Sequence, residues 1–255
     1  MVFSSMTFVP LFLPLILILY YVTRHSGIRN SVLLIFSLLF YAWGEPKWIF
    51  VMLLTVTVNY LCGLAISRSQ SKFRRTAAMI LGVSLSLGFL VYFKYFGFFS
   101  DIVTSLIGVE NTFQKPVLPI GISFYTFQVL TYTVDVYRGK VPVQKNFGKL
   151  LMYVSFFPQL IAGPIVNYTD IAPELGKRKE NLDEIYQGFI RFFIGFSKKV
   201  LLANTCGVIT DKLSGLDSLS VAGSWLLAIA YAFQIYFDFS GYSDMAIGMG
   251  WMFGF

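Results

Sequence analysis

Residues 218–255 read SLSVAGSWLLAIAYAFQIYFDFSGYSDMAIGMGWMFGF. The run Ser218–Phe237 contains no charged side chain. A membrane crossing needs about 20 mainly apolar residues, so this run has the length and composition of a transmembrane helix. Two carboxylates follow it, Asp238 and Asp244, set among aromatic, glycine and hydroxyl residues. On a helix Tyr231, Gln234 and Asp238 share a face, which allows the Gln234 amide to donate to the Asp238 carboxylate. Gly241 is expected to break the helix, leaving Ser240, Tyr242 and Ser243 as donors near Asp244. An ionised aspartate at the bilayer centre costs at least about 2.5–3.5 kcal/mol, which marks such a residue as a functional candidate. If Gly241 lies at the membrane edge, the same carboxylates carry little cost. After the expected break, Ala246, Gly250 and Gly254 repeat at i, i+4 and i+8 as a small-residue face for close packing.

The rest of the chain repeats this character. Of its 255 residues 56% are hydrophobic and 13% charged, with a mean hydropathy of +0.68. Soluble domains carry about 25% charged residues. The composition therefore implies an all-α, polytopic membrane protein, and the length allows about seven or eight membrane segments in one domain, residues 1–255. The formal charge of +7 lies in short clusters between apolar runs. That pattern suits loops facing anionic lipid and argues against nucleic acid as a partner. Cys62 and Cys206 are far apart in apolar settings, and no metal-ligand spacing is present. His25 is the only histidine, beside Arg24 in a basic loop. No nucleophile–base set and no phosphate-cradling glycine loop can be found.

The expected crossings are Met1–Thr23, Asn30–Gly44, Trp48–Ser67, Thr76–Phe93, Pro116–Val134, Leu150–Thr169 and Ser218–Phe237, with a further segment begun at Met245–Phe255. Pro10 and Pro14 are expected to bend the first. Basic loops at 24–29, 68–75 and 138–149 alternate with near-neutral ones, so the N-terminus is expected outside. The stretch 188–204 mixes Phe and Ile with Arg191, Lys198 and Lys199. It reads either as an interfacial helix or as a crossing whose lysines snorkel.

Two further stretches are unusually polar or broken. In residues 118–139, Gln128, Thr131 and Tyr132 share a helical face with Asp135, and Arg138 follows as its expected ion-pair partner. Ser123, Tyr125, Thr126 and Thr133 add to the polarity. Such a stripe faces either a neighbouring helix or a wet cavity. In residues 153–168, Pro158 and Pro164 each remove a backbone donor. Broken backbone at membrane depth needs protein or water around it, so the segment is either re-entrant or kinked, with Gln159 and Asn167 as candidate lining residues.

Together seven stretches carry a resemblance. They are MVFSSMTFVPLFLPL (1–15), FSLLFYAWGEPKW (36–48), FKYFGFF (93–99), LPIGISFYTFQVLTYTVDVYRG (118–139), YVSFFPQLIAGPIVNY (153–168), GFIRFFIGFSKKVLLAN (188–204) and QIYFDFSGYSDMAIGMGWMFGF (234–255). In this order they resemble the membrane-bound O-acyltransferase (MBOAT) family, in its bacterial polysaccharide-acetylating branch. The resemblance implies a multi-helix bundle around a tunnel in the bacterial cytoplasmic membrane. It implies acetyl transfer to hydroxyls of an exopolysaccharide or cell-wall polymer. It also implies a donor that is acetyl-CoA or an acyl carrier, no bound cofactor, and SGNH or esterase-like partner proteins. It casts Gln128, Tyr132, Gln159, Asn167, Gln234, Asp238, Ser240, Tyr242, Ser243 and Asp244 as tunnel- or substrate-lining candidates. The family's catalytic histidine lies in a later stretch, so residues 1–255 are expected to be the N-terminal half, with no catalytic residue of their own and no activity alone. A small-molecule transporter and a non-catalytic scaffold of a split acyltransferase are the alternatives.

Overall fold

The computed structural model describes residues 3–5, 7–23, 25–110, 112–160, 163, 166–176, 178 and 181–255. Among these the secondary structure is helical, without a strand. Five helices are long and apolar enough to cross a membrane: α2 (Ser26–Gly44), α3 (Ile49–Arg68), α4 (Lys72–Ile107), α9 (Leu182–Ser214) and α10 (Val221–Met252). Shorter ones are α1 (Phe8–Val22), α5 (Ile122–Arg138), α6 (Phe147–Ser155), α7 (Phe157–Leu160) and α8 (Tyr168–Ile171). A chain carrying this many apolar spans is a multi-pass membrane protein.

The chain divides into two compact units, one of residues 30–161 and 165–175, the other of 1–29, 162–164 and 176–255. In the larger unit α3, α4 and α5 meet at one asparagine. Asn59 Nδ2 donates to Ser86 Oγ at 2.7 Å and to the Thr55 carbonyl at 2.9 Å, while its Oδ1 accepts from Thr133 Oγ1 at 2.7 Å. All three side chains are buried. Without water to compete, such bonds hold helices that lipid cannot drive together. The basic segments share one end of this unit. Arg75 Nη2 donates to the Tyr137 carbonyl at 3.1 Å, and Tyr60 Oη to that of Lys145 at 2.7 Å. At the other end Tyr41 Oη donates to the Ile120 carbonyl, Trp48 packs edge-on to Phe93, and Lys115 pairs with Asp101.

Several expected boundaries move, for identifiable reasons. The first helix covers Phe8–Val22, not Met1–Thr23, and opens with a π-turn at Phe8–Phe12 that contains Pro10. The helix expected at Thr76–Phe93 runs on to Ile107, where Gly108 closes it at φ +73°. Its 36 residues span about 54 Å, well beyond a hydrocarbon core of about 30 Å. The crossing expected at Pro116–Val134 starts only at Ile122. Gly121 precedes it at φ +75°, and a Cβ there would lie 2.7 Å from the Leu160 carbonyl oxygen. Asp135 pairs with Lys140 at 3.6 Å rather than with Arg138, because the chain folds back at Gly139, where the Lys140 amide reaches the Asp135 carbonyl. Among its described residues the span expected at Leu150–Thr169 holds parts of α6 and α8 and the whole of α7, while 161, 162, Pro164 and 165 lie outside the described residues. The stretch 188–204 is part of the long helix α9, which continues to Ser214.

The largest correction concerns Gly241. No break occurs there: α10 is continuous from Val221 to Met252. The glycine serves packing instead, its Cβ position lying 2.7 Å from the Gly195 carbonyl oxygen.

Candidate functional site

The smaller unit is built on the antiparallel pair α9 and α10. Asn181 caps α9, its side chain accepting from the Asp183 amide, and Asp183 and Glu184 in the first turn favour the positive end of the helix dipole. Ser220 caps α10 through the Gly223 amide. Gly188 and Gly195 on α9 and Gly241 and Gly248 on α10 are each seven residues apart. They face each other in reverse order. A Cβ on Gly195 would sit 2.5 Å from the Gly241 carbonyl oxygen, and one on Gly248 would sit 2.6 Å from that of Gly188. A seven-residue repeat keeps one seam in contact along two helices. By contrast a Cβ on Gly250, in the small-residue face expected with Ala246 and Gly254, would meet only the Phe255 carbonyl oxygen at 3.9 Å, an ordinary contact outside this seam.

The close approach brings charged side chains together. Asp244 Oδ2 lies 2.6 Å from Lys198 Nζ, and its Oδ1 lies 3.1 Å from Arg191 Nε. Lys198 also donates to Ser240 Oγ at 3.1 Å. Lys199 pairs with Asp238. The Arg191 guanidinium stands 5.0 Å from the centre of the Trp251 ring. A π-turn at Lys198–Ala203 interrupts α9 where the two lysines stand. Its wider turn lets consecutive lysines reach carboxylates six residues apart on α10. Thus Asp238 takes Lys199 as its partner and not Gln234 as expected. The Gln234 amide lies instead against Gly207, whose Cβ would be 3.1 Å from Nε2, and Gln234 Oε1 is buried without a hydrogen-bond partner. Tyr242 stacks on Phe3 at 4.4 Å, and Ser243 is half-buried. The carboxylates are visible in the sequence, but the donors expected for them there, Gln234, Ser240, Tyr242 and Ser243, are replaced by the cations of α9. The matched seven-residue glycine spacings are the signal that would have paired α9 with α10.

The other four candidates fall in the larger unit. Tyr132 Oη accepts from the Gln144 amide at 3.0 Å, and its ring meets Tyr168 edge-on at 4.9 Å. Gln144 Nε2 in turn donates to Tyr168 Oη at 2.9 Å. Gln159 Nε2 donates to the Tyr153 carbonyl at 2.5 Å, and Tyr153 Oη to that of Val166. Gln128 is 1% exposed, and its Oε1 has no hydrogen-bond partner. Asn167 is exposed ahead of α8. His25, at the start of α2, is exposed.

Residues 141–255 match the model of the MBOAT, membrane-bound O-acyltransferase family. The chain is 42% identical over its whole length to the probable alginate O-acetylase AlgI of Pseudomonas aeruginosa, covering 50% of that protein. It is 31% identical to the peptidoglycan O-acetyltransferase of Helicobacter pylori across 99% of the chain and 54% of the relative. Over 53% of the chain and 35% of the relative, it is 28% identical to the teichoic acid D-alanyltransferase of Bacillus subtilis. The chain thus spans about half the length of the alginate and peptidoglycan acetylases it matches. The chain is therefore similar to the membrane-bound O-acyltransferase family by the model match over residues 141–255, and to alginate O-acetylases over its whole length.

Proposed function

We propose that this chain forms part of a bacterial membrane O-acyltransferase that moves acetyl groups onto hydroxyls of an extracellular polysaccharide of the alginate kind. The whole-length likeness to alginate O-acetylases carries this reading. The acyl donor is acetyl-CoA or an acyl carrier on the cytoplasmic side, and an SGNH or esterase-like protein is the partner outside. The protein sits in the cytoplasmic membrane with its N-terminus outward, because the basic segments sharing one end of the larger unit belong on the cytoplasmic face. Both units belong to one membrane domain of seven or eight segments, counting the shorter helices and a re-entrant or kinked α6–α8. Gln128, Tyr132, Gln159 and Asn167 in one unit, and Gln234, Asp238, Ser240, Tyr242, Ser243 and Asp244 in the other, are proposed to line or shape the path of the reacting groups. Such a path holds donor and hydroxyl together and keeps out water that would hydrolyse the donor. As the hydroxyl oxygen bonds the acyl carbon, the bond from that carbon to the donor breaks, the donor leaves, and a base takes the hydroxyl proton. The half of the relatives that the chain does not span is the proposed source of that base, a histidine.

A chimera tests this. Residues 1–255 replace the matching half of the Pseudomonas aeruginosa protein in a strain lacking it, and acetyl esters on the secreted alginate are measured. Acetylation above the deletion background is expected from the chimera, and none from residues 1–255 alone. A chimera that reaches the membrane yet leaves alginate unacetylated, where one built from the Pseudomonas syringae relative succeeds, overturns the proposal.

A further inference from the structure

A groove of about 630 Å³ runs along α9 across the π-turn. Its walls include Phe193, Ile194, Leu201 and Leu202, and its polar side chains are Ser197 and Lys198. The volume lies in the range of small-ligand sites. Lys198 ties the groove to the ion-pair cluster. Two of its ammonium donors are engaged, by Asp244 and Ser240, and an ammonium has three. Its side chain is 31% exposed. Among the described residues Arg191, Lys198 and Lys199 pair with the two carboxylates Asp238 and Asp244, one positive charge in excess.

We propose that this groove binds an anionic phospholipid of the surrounding bilayer. The head-group phosphate meets the third Lys198 donor, and an acyl chain lies along Ile194 and Leu201. The excess positive charge selects the lipid. A phosphate whose charge is not internally balanced neutralises the cluster, whereas a choline head group brings a second cation to it. The π-turn contributes by placing Lys198 at the groove while Lys199 engages Asp238. A second groove, of about 340 Å³ between α1 and α9, is lined by Leu13, Leu17, Ile18 and Phe192 among others and has no charged side chain. It offers acyl chains a surface without head-group selection. The proposal does not depend on the acyl-transfer reading, since lipid retention is measured without turnover.

The test is native mass spectrometry of the chain released from vesicles of equal phosphatidylglycerol and phosphatidylcholine. About fivefold more phosphatidylglycerol is expected to be retained, the factor that one basic residue near anionic lipid gives. Lys198→Gln should abolish the preference, and Lys199→Gln should only weaken it, because it removes the excess charge but leaves the Lys198 donor at the groove. Should Lys198→Gln loosen the helix pair, Ile194→Trp fills the groove with Lys198 intact and is expected to abolish it too. Equal retention of the two lipids by the unaltered chain overturns the proposal. So does a preference that survives Ile194→Trp, or displacement of phosphatidylglycerol by soluble glycerol phosphate, which would mark a phosphate site needing no acyl chain.

Discussion

Gly195 and Gly241 meet backbone to backbone: a methyl group on Gly195 would also fall 2.7 Å from the Met245 amide and 2.9 Å from the Asp244 Cβ. Neither helix can yield locally, because two of the atoms in the way are main chain and the third, a Cβ, is fixed to it. Gly195→Ala and Gly248→Ala are therefore expected to destabilise the α9–α10 pair by about 1–3 kcal/mol, the cost of overpacking. Gly250→Ala should change nothing, its nearest neighbour being 3.9 Å away. Unfolding midpoints in mixed micelles check the comparison.

Asp244 holds two cations, so its loss leaves both without this partner. Asp244→Asn is expected to cost about 1.5–3 kcal/mol, in the range of hydrogen bonds to charged groups. Asp238 is 43% exposed and meets a single lysine, so Asp238→Asn should cost no more than about 1 kcal/mol. The double variant Asp244→Asn with Lys198→Met should recover part of the first loss, because a cation needing compensation is removed. A double-mutant cycle measures it.

Asn59 bonds α3 to both α4 and α5. Replacing it with Leu removes two interhelical bonds and strands the Ser86 and Thr133 hydroxyls. Each interhelical bond in a membrane is worth about 0.6 kcal/mol and at most about 1.7. The expected loss is about 1–3 kcal/mol by the same unfolding assay.

Gln128 offers a way to separate lining from packing. Its buried Oε1 has no hydrogen-bond partner. Gln128→Leu should therefore leave stability unchanged or raise it. If Gln128 lines the reaction path, the same change in the chimera lowers alginate acetylation at an equal amount of protein. Unaltered acetylation would remove it from the proposed path.

How far the sequence could be read depended on what each residue's meaning rests on. The helix Ile49–Arg68 lies within a residue of its expected bounds, because apolarity and flanking charge alone define it. Pro116–Val134 was apolar enough, yet its first turn did not form where Pro116, Pro119 and Gly121 stand. Gly241 shows the harder case. A glycine can end a helix or admit another, and only the facing residue decides. Asp238 and Asp244 stand out in the sequence as carboxylates beside an apolar run, whereas nothing in the spacing of Arg191, Lys198 and Lys199 names them as the partners. The π-turn at Lys198–Ala203 leaves no trace in composition, since it is an offset of phase and not a change of residue type.

That offset has a consequence for the far end of α9. A π-turn holds one residue more than the α-helical turn it replaces. Deleting Val200 would let the segment close as ordinary α-helix and turn everything after it by about 100°. Gly207 would swing away from Gln234, and a bulkier neighbour would take its place against α10. The insertion thus acts as a phase shifter: the ion pairs set the angle of one half of the helix, and this single extra residue sets the angle of the other.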